Sequence, residues 1–252
     1  MPLIKVNSAK DIQPALNSLA SDGAAANPAV VVLEDGNTYC ADVIVPPGVT
    51  LRGGAPSSTL LVGSVRLQGS YLEQVRIAGS IVAETRPNFG WLIDRVVASN
   101  MAIGGGPVLV VEHGVAGGTG GYVTGNTVLT SFGSCAVMFD PAPPNFTGGV
   151  MEYSFACRAI ESYNAALGAL IDVGSPVAMR VTFWHTLFQV QSPLVDFVRA
   201  KNQCVKMYGC VFDTYDDQFP KIRAEENGSI RLSKPMRVTP SSQFVGNVVI
   251  TD

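Results

Sequence analysis

The pattern of apolar and polar positions along this chain changes once. Near the N-terminus, Ile12, Ala15, Leu16 and Leu19 recur at helical spacing and share one face. Asp11 is placed to cap that segment, Pro14 is tolerated in a first turn, and Asp22-Gly23 ends it. A turn-rich stretch, GAAANP, follows. From Ala29 onward the apolar residues come in short β-branched runs, AVVVL, then DVIVPPGVTLRGG, then STLLVG, separated by Gly, Pro and Asn. Such runs predict strands. They lie too close together for crossover helices, which excludes βαβ units.

Repetition chooses among the all-β architectures. A six-residue frame, apolar at its first and sixth positions, recurs seven times: Leu72/Ile77, Leu92/Val97, Val123/Val128, Val150/Phe155, Phe183/Phe188, Met207/Phe212 and Phe244/Val249. Its starts lie 20, 31, 27, 33, 24 and 37 residues apart. Positions five apart on a straight strand face opposite sides, so both can reach one core only if the chain turns a corner between them. Gly-Asn, at the middle of VTGNTV and FVGNVV, suits such a corner because both residues tolerate positive φ. A corner recurring at this interval is one coil of a β-solenoid, and an immunoglobulin-like sandwich would show shorter, more even spacing.

Composition changes the picture in one respect. Of the 252 residues 47% are hydrophobic and only 15% charged, against roughly 25% charged in ordinary soluble domains. A charge-poor solenoid predicts burial of apolar surface against further copies of the chain. The net charge of −3 gives no electrostatic reason to expect nucleic acid, and Lys201 and Lys206 are the nearest approach to a basic cluster. No apolar run is long enough for a membrane span, and the opening MPLIKVNSAKD lacks the apolar core of a signal peptide. Five cysteines (Cys40, Cys135, Cys157, Cys204, Cys210) without metal-type spacing read as buried free thiols.

Three segments, AKDIQPALNSLA, VVVLEDGNTY and VIVPPGVTLRGGAPSSTLL, resemble the pectate-lyase-like superfamily of right-handed parallel β-helices, which includes polysaccharide lyases, polygalacturonases and phage tailspikes. The resemblance covers residues 8 to 62 well and the remainder through coil periodicity. It implies an all-β, single-stranded right-handed parallel β-helix, with residues 1–28 as an N-terminal segment carrying a helix that plugs the solenoid and residues 29–252 as the β-helix. It is nearly silent on function, since this fold hosts enzymes and inert scaffolds. Lyases of the superfamily carry a Ca²⁺-binding acidic cluster with a basic Arg or Lys, and polygalacturonases carry Asp residues in short motifs. None of those motifs is intact here, and no metal or other cofactor is expected.

The third position of the frame reads Gln74, Asp94, Gly125, Glu152, His185, Gly209 and Gly246. Carboxylates on one column of stacked coils could cleave a glycosidic bond, which needs two of them roughly 5 to 9.5 Å apart. Asp94, Glu152 and His185 are therefore the candidate catalytic set, and Trp91 and Trp184 the candidate binding aromatics, whether for sugar or a partner subunit. The DTYDD run (Asp213 to Asp217) could ligate Ca²⁺ but lacks a glycine turn and trailing Glu, and His113 precedes a Gly-rich turn. Thiols of cytoplasmic type, a charge-poor surface and a start at the capping helix lead to one main expectation. It is a non-catalytic structural protein of a bacteriophage particle, a capsid decoration or tail-fibre-like homotrimer assembled in the host cytoplasm with other virion proteins and able to meet host surface polysaccharide. The alternatives are a polysaccharide lyase or glycoside hydrolase on the Asp94, Glu152, His185 column, and a glycan-binding module using Trp91 or Trp184.

Overall fold

In a computed structural model, the described strands wind into three parallel sheets, of eleven, nine and nine strands, each joined by hydrogen bonds from coil to coil. The structure describes residues 2–20, 29–86, 88–100, 106–112, 120–133, 135–140, 150–163, 168–174, 179–191, 195–214, 221–233, 237–238 and 243–252. Each coil passes through the first, second and third sheet in turn, so successive strands of one sheet come from successive coils. This is the parallel β-helix expected from the spacing of the frames.

The core is a set of inward columns. In the first sheet Leu51, Leu72, Ile93, Val123, Phe155, Phe183, Met207 and Leu232 stand one above another, all buried. Phe155 stacks on Phe183 with centroids 4.8 Å apart, Phe188 stacks on Phe212 at 5.0 Å, and Phe183 meets Phe188 edge-on at 5.3 Å. Identical positions on neighbouring coils lie about 4.8 Å apart. Rings of one size on one column therefore stack without leaving voids.

Three frames sit as the periodicity places them, with both ends buried: Leu72/Ile77, Phe183/Phe188 and Met207/Phe212. Four need correction. Val123 is inward, but an extra corner residue moves its partner to Leu129. The Leu92/Val97 frame shifts by one residue, onto Ile93 and Ala98. Val150 is 51% exposed, and the column runs instead through Phe155 and Ile160. Phe244 lies in Gln243–Val245 of the third sheet. Apolar pairs five apart arise readily in so apolar a chain, and only the stacking of coils separates true corners from accidents.

At the true corner between first and second sheets Gln74, Arg95, Gly125, His185 and Gly209 all take positive φ, from 48° to 68°. Gly is the residue that does so without penalty, and a non-glycine there costs about 1–2 kcal/mol. The residue after four of them turns inward again, as Val75, Val96, Thr186 and Cys210 do, and after Gly125 the exposed Asn126 intervenes before the buried Thr127.

The helix spans Ala9–Ala20, with Asp11 inside its first turn rather than at its cap, and it buries Ile12, Ala15, Leu16 and Leu19. It plugs the end of the core. Its Gln13 side chain also donates to the Ile44 carbonyl (3.0 Å) and accepts from the Ile44 amide (2.9 Å). That pairing satisfies the edge of Val43–Val45, the outermost strand of the third sheet. The segment before residue 29 also belongs to the solenoid, because Leu3–Val6 pairs in parallel with Ala29–Leu33.

Asp35 fastens the first corner to the second, accepting from Ser58 Oγ (2.7 Å) and Thr59 Oγ1 (3.0 Å). The Ser58 hydroxyl, then Thr59, hold its carboxyl below the ordinary 3.8. A carboxyl lowered on folding contributes stability above its unfolded value, and that contribution is lost as pH falls through the folded value. Asp35→Asn is therefore expected to lower the thermal midpoint at neutral pH. The gap to the wild type should close in acid, which parallel melting curves across that range would check.

Candidate functional site

Charge is distributed unevenly over the solenoid. On the third sheet cations meet carboxylates rung by rung: Arg66 with Glu112 (2.5 Å), Arg199 with Asp172, Arg223 with Asp196 (2.6 Å) and, at its edge, Lys201 with Glu226 (2.8 Å). The outer face of the first sheet differs. There Met179–Trp184, Cys204–Tyr208 and Ser229–Ser233 place Arg180, Lys206 and Arg231 on three successive rungs. Among the described residues Arg180 has one carboxylate partner, Glu152 (3.0 Å), and Lys206 and Arg231 have none.

Strand parity builds the rest of the groove, because alternate residues of each strand point outward. One outward row runs Tyr122, Ser154, Thr182, Lys206 and Arg231. Five rungs span about 19 Å, roughly the length of four sugar units. Ser154 and Thr182 are small and make a floor. On one side stand Glu152 and Arg180, on the other Trp184 and Tyr208, whose rings stack with centroids 4.3 Å apart at 16°. Two adjoining hollows of about 340 and 260 Å³ occupy this face and share Arg180, Thr182 and Lys206. A hollow of about 460 Å³ beside Val43–Val45 offers less, because its Arg66 is held by Glu112 and its Gln13 by Ile44. Apolar walls with a few convergent charged groups are the usual make-up of a ligand site.

The candidate catalytic column is dispersed. Asp94 ends Trp91–Asp94 and pairs with Arg95 Nε at 2.7 Å. The register carries Asp94 to Thr124, and from there to the position of Ala156, four residues along the strand from Glu152. Asp94 and Glu152 are thus separated by about 13 Å along the strand and 10 Å across it. Together these give about 16 Å, beyond the reach of a hydrolytic pair. His185 sits at the corner beyond Trp184, over Gly209, where a Cβ would come within 2.4 Å of Nδ1. It stands on the rim, outside the hollows.

The two tryptophans part company. Trp184 is outward and 40% exposed, in the groove. Trp91 as a binding residue is corrected: it is 1% exposed, stacked on Tyr153 at 6.0 Å in the core, with Gly121 leaving room for its indole. Trp91 falls at an inward parity of its strand and Trp184 at an outward one.

No local motif singles out Tyr122, Arg180, Thr182, Tyr208 or Arg231, and Lys206 stands in the sequence only as a sparse charge. The signal was present as alternation. MRVTFW, CVKMY and SIRLS carry polar residues at every second position, and stacking brings those positions together.

Among the described residues no three His, Cys, Asp or Glu cluster, and Glu152, the carboxylate lining the groove, is engaged by Arg180. Of the DTYDD run only Asp213 and Thr214 are described, with Asp213 accepting from the Thr214 amide (3.0 Å). His113 lies outside the described residues. The cysteines are free, and burial pushes Cys135 and Cys157 up to about 12 and Cys210 up to about 11, so these three stay protonated thiols.

No protein-family model matches the chain, and no curated protein sequence does. Among solved structures, an alginate lyase from Paenibacillus sp. str. FPU-7 is similar in fold, with a TM-score of 0.53 and 12% sequence identity over 98% of this chain and 99% of that one. This finding overturns the expectation of a non-catalytic structural protein of a bacteriophage particle, because the solved chain that this solenoid follows end to end is an enzyme. It gives the tailspike branch of the resemblance no support. What it establishes is architecture: the chain is an all-β parallel β-helix.

Proposed function

We propose that this chain is a polysaccharide lyase acting on an acidic, uronate-containing polysaccharide bound along the outer face of the first sheet. The observation that carries this reading is the run of cations Arg180, Lys206 and Arg231 on successive rungs beside the Trp184–Tyr208 shelf. Aromatic faces take up sugar rings, and the cations meet carboxylates that a neutral glycan lacks.

Elimination suits this groove better than hydrolysis, which would need a second carboxylate near Glu152. In elimination the C5–H bond beside the uronate carboxylate breaks, the C4–O bond breaks, and a C4=C5 double bond forms. Lys206 and Arg231, which face each other on adjoining rungs, hold the carboxylate and stabilise the charge that develops on it. Tyr208 lies two residues beyond Lys206 on the same face. Its phenolic oxygen is the group on this face placed to take the proton from C5 and return it to the departing oxygen.

The test is incubation with alginate and with polygalacturonate, following reducing ends together with the ultraviolet absorbance of the unsaturated uronate. A lyase raises both. Reducing ends without absorbance mean hydrolysis, and no shortening of any acidic polymer sinks the enzyme reading.

A further inference from the structure

We infer that Glu152 is a resident counter-anion of the groove and sets which acidic polysaccharide it accepts: one with a carboxylate shared by Lys206 and Arg231 and an uncharged sugar over Ser154. The inference rests on the proposed function and deepens it. Glu152 and Ser154 are two residues apart on Met151–Phe155, so the carboxylate flanks the floor at that rung. On the next rung Arg180 flanks Thr182, and its Nη1 lies 3.0 Å from Glu152 Oε1.

This pair is not a packing element. Its side chains are 66% and 60% exposed, whereas the Arg223–Asp196 pair of the third sheet is 26% and 15% exposed. Exposed pairs of this kind add little to folding stability. The Glu152–Arg180 pair does, however, occupy one of the groove's three cations. A uronate over Ser154 would have to displace Glu152 from Arg180 and then lie beside the displaced charge. An uncharged sugar there meets neither obstacle. Toward Arg231 the situation reverses, since Lys206 and Arg231 have no carboxylate of their own among the described residues. The groove is thus electrostatically asymmetric along its length.

The experiment is a calorimetric titration of the wild type and Glu152→Gln with two size-matched polymers. One is polygalacturonate, acidic at every sugar, and the other is hyaluronan, in which glucuronate alternates with an uncharged amino sugar derivative. The variant should bind polygalacturonate about threefold more tightly, the size expected for one like charge removed at about 6 Å in a watery setting. Hyaluronan binding should hold steady, and the gain should vanish near 1 M salt, where the Debye length is about 3 Å. An equal gain for both polymers, or none for either, overturns the inference while leaving the groove standing. If the wild type binds neither polymer, the groove reading falls and this inference falls with it. Lys206→Ala separates the cases further, since it should weaken both polymers alike.

Discussion

Phe183→Ala is expected to be the most destabilising single change in this chain, at about 3–5 kcal/mol, the usual cost of removing a buried aromatic ring. Phe183 is fully buried, stacks on Phe155 and meets Phe188 edge-on, so its loss opens a hole between two coils. The coils above and below cannot close that hole, because their hydrogen-bonded ladders hold them about 4.8 Å apart. For a chain of this length the melting temperature should fall by about 10 °C. The informative control is the adjacent residue. Trp184 is larger but outward, and Trp184→Ala should shift stability by about 1 kcal/mol or less. Denaturant unfolding of both variants checks the inward and outward parity of this strand directly, and similar losses for the two would show the register to be wrong.

Lys206→Ala carries the second large effect, a loss of turnover on acidic polysaccharide of about 100-fold, comparable to removing one donor that faces developing charge. Lys206 lines both hollows of the groove, has no carboxylate partner among the described residues as Arg180 does, and lies two residues from Tyr208 on the same face. Its side chain makes no ion pair among the described residues, so folding should scarcely change. Tyr208→Phe keeps a ring on Trp184 and removes only the hydroxyl, and its turnover should fall while polymer binding is retained. Arg66→Ala, on the third sheet, should leave turnover intact. Cleavage unaffected by Lys206→Ala would move the chemistry off this face of the solenoid.

The helix and the solenoid could both be read before any coordinates. The apolar face of Ile12, Ala15, Leu16 and Leu19 needs no partner to be recognised, since its period is local. Short β-branched runs at coil-length spacing likewise exclude most alternatives. Frames with strong signals on both sides of a corner, such as Phe183/Phe188, fell in place. Weaker ones slipped by a residue. One residue of slip reverses every side chain on a strand and puts Trp91 inward, while the frame at Val150 stands five residues short of the inward Phe155, so Asp94 and Glu152 share no column.

The groove illustrates the division most clearly. Composition and periodicity alone establish a β-solenoid closed by a helix, because those properties depend on neighbours along the chain. Arg180, Lys206 and Arg231 are separated by 26 and 25 residues, and no local rule joins them. Their meeting depends on how many residues each intervening corner and loop absorbs before the next strand docks. That register is set by the whole stack of buried side chains, where each inward column must align for any coil to close. Folding therefore chooses which outward residues become neighbours, and with them the charge of the groove.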